Sequence, residues 1–186
     1  MPAPLPLSYT IITDRIILRI PKERDIPRVF SATRFAGFND GMQWGPPTSL
    51  EEMKAPYERG IKAWETGEAY GFTIAQPETD ELLGRISIRP TEGEEVWNVG
   101  FWTHPEVQRR GIMSEALSAV LALGFNDLHA KRIEAAYATW NTASEKVLLR
   151  AGFKFVRTID RGLFKNDVWV PENLVAISRE AWKSST

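Results

Sequence analysis

Apolar and polar residues alternate in two rhythms along the chain, and the switches between them outline its elements. In residues 10–20, TIITDRIILRI, the residues Ile16, Leu18 and Ile20 recur at every second position among β-branched neighbours, the period of a half-buried strand. Residues 25–33 lose that alternation and read as a helix: Asp25 can cap its start, and Pro27 is tolerated in a first turn. A loop rich in Gly, Pro and aromatic residues follows, RFAGFNDGMQWGPPT. Ser49-Leu50-Glu51-Glu52 then has capping-box spacing and opens a second helix to about residue 65, in which Pro56 predicts a kink or a break. Period two returns in AYGFTIAQ (69–76) and LLGRISIRP (82–90), a hairpin, and in VWNVGFWTH (96–104) after the turn TEGEE. A third helix starts near Gly111 with IMSEALSAVLAL. Residues 131–140 are another strand, 142–151 a short helix with Gly152 as its C-cap, and GFKFVRTI and DVWVPENLVAIS supply the last strands. The order β-αα-βββ-α-β-α-ββ describes an α/β (or α+β) sandwich. With no repeat or linker, residues 1–186 read as a single domain behind a flexible, proline-rich lead-in at residues 1–8.

Composition narrows the chemistry by exclusion. A formal net charge of −1 gives no basic excess to hold nucleic acid. No apolar run approaches the ~18–20 residues of a membrane span, and the N-terminus lacks the basic and apolar regions of a signal peptide, so a cytoplasmic protein is expected. The absence of cysteine removes disulfides, thiolate metal sites and cysteine nucleophiles, and two histidines far apart in sequence, His104 and His129, argue against a metal cluster.

The sequence HPEVQRRGIMSEAL, residues 104–117, is electrostatically awkward. Arg109 and Arg110 precede a helix start, where the helix dipole and free N–H groups favour negative charge. A bound polyanion would reverse the sign of that interaction, since a strand, a loop and a Gly-started helix make an anion site. Each misplaced charge costs only about 0.3–1 kcal/mol, so a solvated arginine pair on a partner-binding domain is the alternative. Neither GxxxxGK[ST] nor GxGxxG is present, which excludes a Walker or Rossmann cradle.

Gln108-Arg109-Arg110-Gly111-Ile112-Met113 resembles the Q/R-x-x-G-x-G/A pyrophosphate loop of GNAT-type N-acetyltransferases, which bind acetyl-CoA. RIEAAYATWNTASEKVLLRAGFKFV is similar to that superfamily's next strand and helix. TDRIILRIPKERDI resembles the opening of the Rim-type branch, the ribosomal-protein N-terminal acetyltransferases. The resemblance implies a mixed, mostly antiparallel central sheet flanked by helices, and direct acetyl transfer from acetyl-CoA to a primary amine: a protein N-terminal α-amine or a small-molecule amine. Two departures stand out. Met113 replaces a Gly or Ala, which leaves the main-chain N–H in place. Trp97 and Asn98 occupy the strand positions where family members often carry a glutamate base.

The resemblance implies four tasks. The pyrophosphate is assigned to the N–H groups of Arg109 to Ser114, including those of Gly111, Ile112 and Met113, with Gln108, Arg109 and Arg110 nearby. The thioester carbonyl is assigned to a backbone N–H around Phe101, Trp102 and Thr103, where developing charge needs a donor. The amine must lose a proton: an α-amine near pKa ~8 is roughly 10% neutral at pH 7, a lysine-type amine only about 0.1% or less. Glu94, Glu95 or His104, the last through water, are candidate bases in place of the missing glutamate. The leaving thiolate takes a proton from Ser144 or Tyr137, and Asn141 contacts the pantetheine arm. Phe38, Asp40, Trp44, Trp97 and Asn98 are candidates for the acceptor pocket. A homodimer through the late strands or exposed tryptophans is compatible with the sequence. So is a catalytically degenerate domain that binds CoA as a sensor or interaction module.

Overall fold

The structure, a computed structural model, describes residues 3–93 and 95–183, so Glu94 lies outside the described residues. The strands are β1 (Thr10–Ile12), β2 (Ile17–Arg19), β3 (Tyr70–Ala75), β4 (Leu82–Pro90), β5 (Val96–Thr103), β6 (Arg132–Ala138), β7 (Lys154–Lys165) and β8 (Val168–Ser178). The helices are α1 (Ile26–Ala32), α2 (Lys54–Thr66), α3 (Ile112–Asn126), α4 (Thr142–Arg150) and α5 (Arg179–Lys183). Among the described residues, eight strands form one sheet in the order β1-β2-β3-β4-β5-β6-β8-β7, and only the β5–β6 pair is parallel.

Four local expectations change. Residues 10–20 form a hairpin rather than one strand: Thr13 N–H donates to the Ile16 carbonyl at 3.0 Å, and polar Asp14 and Arg15 take the turn. Asp25 does not cap α1; it ends a 3-10 turn, Glu23–Asp25, and points its carboxylate at Arg19. Pro56 neither kinks nor breaks α2, because it is the third residue, where a backbone N–H has no intrahelical partner to lose. The lead-in is pinned at Leu5: Trp64 Nε1 donates to the Leu5 carbonyl at 2.9 Å, and Leu5 N–H donates to the Tyr70 hydroxyl at 3.3 Å.

Strand alternation sorts residues onto the two faces of the sheet. Phe72, Ile86, Ile88 and Val99 are buried in the main core together with Trp64 of α2 and with Leu117, Val120 and Leu121 of α3. Gly124 lets α3 settle there, since a Cβ would fall 2.7 Å from Ile133 Cδ1 and 2.9 Å from Ile88 Cδ1. Arg19 of β2 and Thr73 of β3, register partners, meet Asp25 at the start of α1. Asp25 accepts from Arg19 Nη1 and Nη2 at 2.9 and 2.8 Å, from Lys22 N–H at 2.9 Å and from the Thr73 hydroxyl at 2.9 Å. Burial alone would raise its pKa, but these hydrogen bonds and the Arg19 charge hold the carboxyl below its usual range.

Candidate active site

The sheet splits in the middle. β5 and β6 pair through Val96–Arg132, Trp97–Ile133 and Asn98–Glu134, and pairing then stops although β5 continues to Thr103 and β6 to Ala138. Because the two strands are parallel, the fork opens toward the helices that follow each of them, so the starts of α3 and α4 stand at the same end. Along the open edge, backbone groups of residues 99–103 that do not bond to β4 have no strand partner, and buried backbone groups require one. Such an open edge can pair with an extended molecule that carries amide groups.

At the mouth, residues 108–111 form an anion-ready turn. Arg109 (φ 62°) and Gly111 (φ 74°) are both left-handed, which turns successive N–H groups toward a concavity. Gly111 precedes α3 and provides no side-chain cap; the first bond back to its carbonyl comes from Glu115 N–H, at 3.2 Å. The N–H groups of Ile112, Met113 and Ser114 therefore remain unpaired within the helix, while the side chains of Ile112 and Met113 are buried in the core. Gln108 Nε2 donates to the Thr103 carbonyl at 3.4 Å, and Arg110 Nη2 to the Glu106 carbonyl at 3.3 Å. The Arg109 side chain is exposed and makes no hydrogen bond or ion pair among the described residues. Across the mouth, Asn141 Oδ1 caps α4 by accepting Ser144 N–H at 3.1 Å, and the Ser144 hydroxyl has no hydrogen-bond partner among the described residues.

The proposed acceptor residues divide. Phe38 meets Trp102 edge-on at 5.2 Å and Trp44 at 6.3 Å. Their loop is fastened by Lys165 at the end of β7, whose Nζ donates to the carbonyls of Met42 (2.9 Å), Trp44 (3.2 Å) and Asn39. Burial lowers the Lys165 pKa. Asp40, Trp140, Lys165, Asn166, Val168 and Val170 line a cavity of about 300 Å³ beside this loop. Trp97 is a correction: alternation turns it into the core, stacked on Tyr70 at 6.3 Å, away from Asn98.

Two of the suggested bases, His104 and Glu95, are corrected as well. His104 is fully buried; its Nδ1 accepts Glu106 N–H at 3.3 Å, so Nε2 carries the proton and donates to Ser31 Oγ at 3.0 Å. Burial and the Arg28 charge lower its pKa against the pull of Glu106 and Glu81, leaving a neutral ring with both nitrogens engaged. Glu95 lies in the turn at the closed end of the fork, ion-paired to Lys131. Tyr137 is buried, its hydroxyl donating to Glu145 of α4 at 3.3 Å; burial first, then the Glu145 charge, raises its pKa against an Asn173 hydrogen bond. The carboxylate that register places beside Asn98 belongs to Glu134, partly exposed and paired with Arg132 Nε at 2.7 Å. Only the strand pairing could have revealed it, because β6 follows β5 by a whole helix.

Residues 15–154 match the model of the acetyltransferase (GNAT) domain. The chain belongs to the GNAT acetyltransferase family. Among curated relatives, the uncharacterized N-acetyltransferase YoaA of Bacillus subtilis is 27% identical over 172 residues, covering 89% of this chain and 94% of YoaA. The ribosomal-protein-serine acetyltransferase of Escherichia coli is 28% identical over 129 residues, 69% of this chain and 71% of its own. Among solved structures, RimJ of Mycobacterium smegmatis, in complex with CoA-disulfide, superposes with a TM-score of 0.76 at 26% identity, covering 89% of this chain and 82% of that one. A ribosomal-protein-serine acetyltransferase of Vibrio cholerae, described as putative, shares the fold with a TM-score of 0.82 at 22% identity, over 94% and 99% of the two chains. The protein is thus an acyltransferase that uses acetyl-CoA as its donor, and the GNAT fold supplies the expected mostly antiparallel sheet flanked by helices. No helix among the described residues is long and apolar enough to cross a membrane.

Proposed function

We propose that this protein acetylates a primary amine, either the α-amine of a protein N-terminus or a small-molecule amine, in the cytoplasm by direct transfer within a ternary complex. The observation that carries the reading is the fork: it joins an anion-ready helix start to a fastened aromatic loop, so donor and acceptor can meet without a covalent enzyme intermediate. Pyrophosphate binds the N–H groups of residues 109–114, and the pantetheine arm lies along the open edge of β5, near Asn141. A backbone N–H of residues 101–103 donates to the thioester oxygen as charge develops there. Phe38, Trp44, Trp102 and Asp40 shape the acceptor side with Asn98.

Glu134 takes the amine proton, through water where needed. The neutral nitrogen then attacks the carbonyl carbon and the C–N bond forms; as the C–S bond breaks, the thiolate takes a proton from the Ser144 hydroxyl or from Tyr137, and that group recovers one from the second proton the new amide nitrogen sheds. A carboxylate base suffices best for an α-amine, which is already partly neutral at pH 7. The similarity to ribosomal-protein-serine acetyltransferase supports an N-terminal acceptor.

Thiol release from acetyl-CoA, measured across short peptides with free N-termini and a set of small amines, tests the reading. Turnover of at least one acceptor is expected; CoA binding with no turnover of any would favour the sensor alternative. With the best acceptor, Glu134→Gln should lower kcat/KM roughly a hundredfold near neutral pH. The deficit should narrow as pH rises and the amine deprotonates unaided. Activity within about twofold of wild type across that range would remove Glu134 from the mechanism.

A further inference from the structure

The arginine pair before α3 is not the whole electrostatic story of that turn. Glu115, in the first turn of α3, carries a negative charge within about one helical turn, ~5.4 Å of rise, of the N–H groups that face the donor's phosphates. A free carboxylate there would repel CoA. It is not free. The turn between β1 and β2 reaches across and takes it: the Thr13 hydroxyl donates at 2.6 Å, Arg15 N–H at 3.0 Å and Arg15 Nε at 2.6 Å. Burial tends to raise the Glu115 pKa, but these hydrogen bonds and the Arg15 charge bring it below the ordinary value, so the group stays ionised and paired.

The same guanidinium touches the loop itself. Arg15 Nη1 donates to the Arg110 carbonyl at 2.9 Å, and Nη2 would stand 3.3 Å from a Cβ at Gly111, along the side that glycine leaves open. One side chain therefore holds the carbonyl next to the left-handed residue, packs against that residue, and neutralises the nearest acidic group on the helix. Its own surface is 55% exposed, so the arrangement contributes little to the core.

We propose that Arg15 is a positioning residue for the acetyl donor: it keeps residues 110–111 in their anion-binding shape and cancels Glu115, so that the start of α3 meets the pyrophosphate as a net positive site. The proposal rests on the reading that the pyrophosphate binds at this helix start. Calorimetry with CoA on the full chain separates the two. Arg15→Ala should weaken CoA at least about tenfold, with a deficit that shrinks as salt screens the exposed carboxylate. Arg15→Lys, which retains the charge, should stay within about threefold of wild type. The decisive variant is the double substitution Arg15→Ala with Glu115→Gln, which removes the uncovered charge and should recover most of the lost affinity; a merely structural contact would give no such recovery. Arg15→Ala binding within about twofold of wild type, or a double variant as weak as Arg15→Ala, overturns the proposal. If Gly111→Asp also binds CoA as wild type does, the pyrophosphate reading falls with it; if Gly111→Asp binds weakly while Arg15→Ala does not, only the role of Arg15 falls.

Discussion

Two arginines four positions apart, Arg15 and Arg19, each hold a carboxylate that follows them in sequence, yet they occupy opposite extremes of the molecule. Arg19 and Asp25 are both 6% exposed, and Arg19 also donates to Asp80 through Nε and to the Asp80 carbonyl at 3.1 Å. Arg15 stands at the surface, bridging a turn to Glu115 and to the Arg110 carbonyl. The chemistry of the pairs is alike and the solvent differs. A buried pair, once formed, cannot lose one partner without stranding the other charge in a poorly polarisable medium. An exposed pair can, because water replaces the missing partner. The first pair thus belongs to the stability of the sheet beneath α1, and the second, in the role proposed for Arg15, to the field around the anion turn.

Substitutions can break that contrast. The largest effect is expected from Asp25→Asn, which takes from the buried Arg19 its bidentate carboxylate and leaves it Asp80 alone, and should cost about 3–5 kcal/mol in denaturant unfolding. Its pH signature follows in sign. The Asp25 carboxyl is more acidic folded than unfolded, so its contribution is complete above the unfolded value near ~3.9 and is lost as pH falls through that value toward the folded one. Wild-type stability should therefore fall in that acid window, and the variant should show a shallower fall. Next comes Gly111→Asp. A left-handed side chain costs about 1–2 kcal/mol, and the new group meets Arg15 and the anion turn, so CoA affinity measured by calorimetry should fall at least about tenfold. The smallest stability effect belongs to Arg15→Ala, under about 1 kcal/mol by denaturant unfolding, despite its expected effect on CoA. A large loss of stability there would erase the contrast between the two arginines.

Much of the fold was legible in the sequence because period-two and helical patterns report burial directly. The strands at 69–76, 82–90 and 96–104, the helix after Gly111 and the helix at 142–151 all appear within a residue or two of their expected places. The hairpin in residues 10–20 was not legible, since Ile11 and Ile12 continue the β-branched run and only the Thr13–Ile16 turn interrupts it. The proposed donor end needs only neighbours along the chain, since loop, glycine and helix start are contiguous. The catalytic side was not. His104 looked available as a base and is instead a buried brace between Ser31 and Glu106. Trp97 looked like an acceptor contact and faces the core.

By itself, then, the sequence determined what depends on neighbours along the chain: the order of the elements after residue 20 up to the last strands, the glycine before α3, the acetyl-CoA donor implied by QRRGIM and its companion motifs, and the lack of any cysteine to carry an intermediate. Only the tertiary structure decided what depends on pairing across it. The parallel register that stops at Asn98 and Glu134 opens the fork and brings a carboxylate beside the asparagine. The β1–β2 turn brings Arg15 to Gly111 and Glu115. Strand register and hairpin docking join residues that are remote in sequence, and local pattern carries no record of which remote residues will meet.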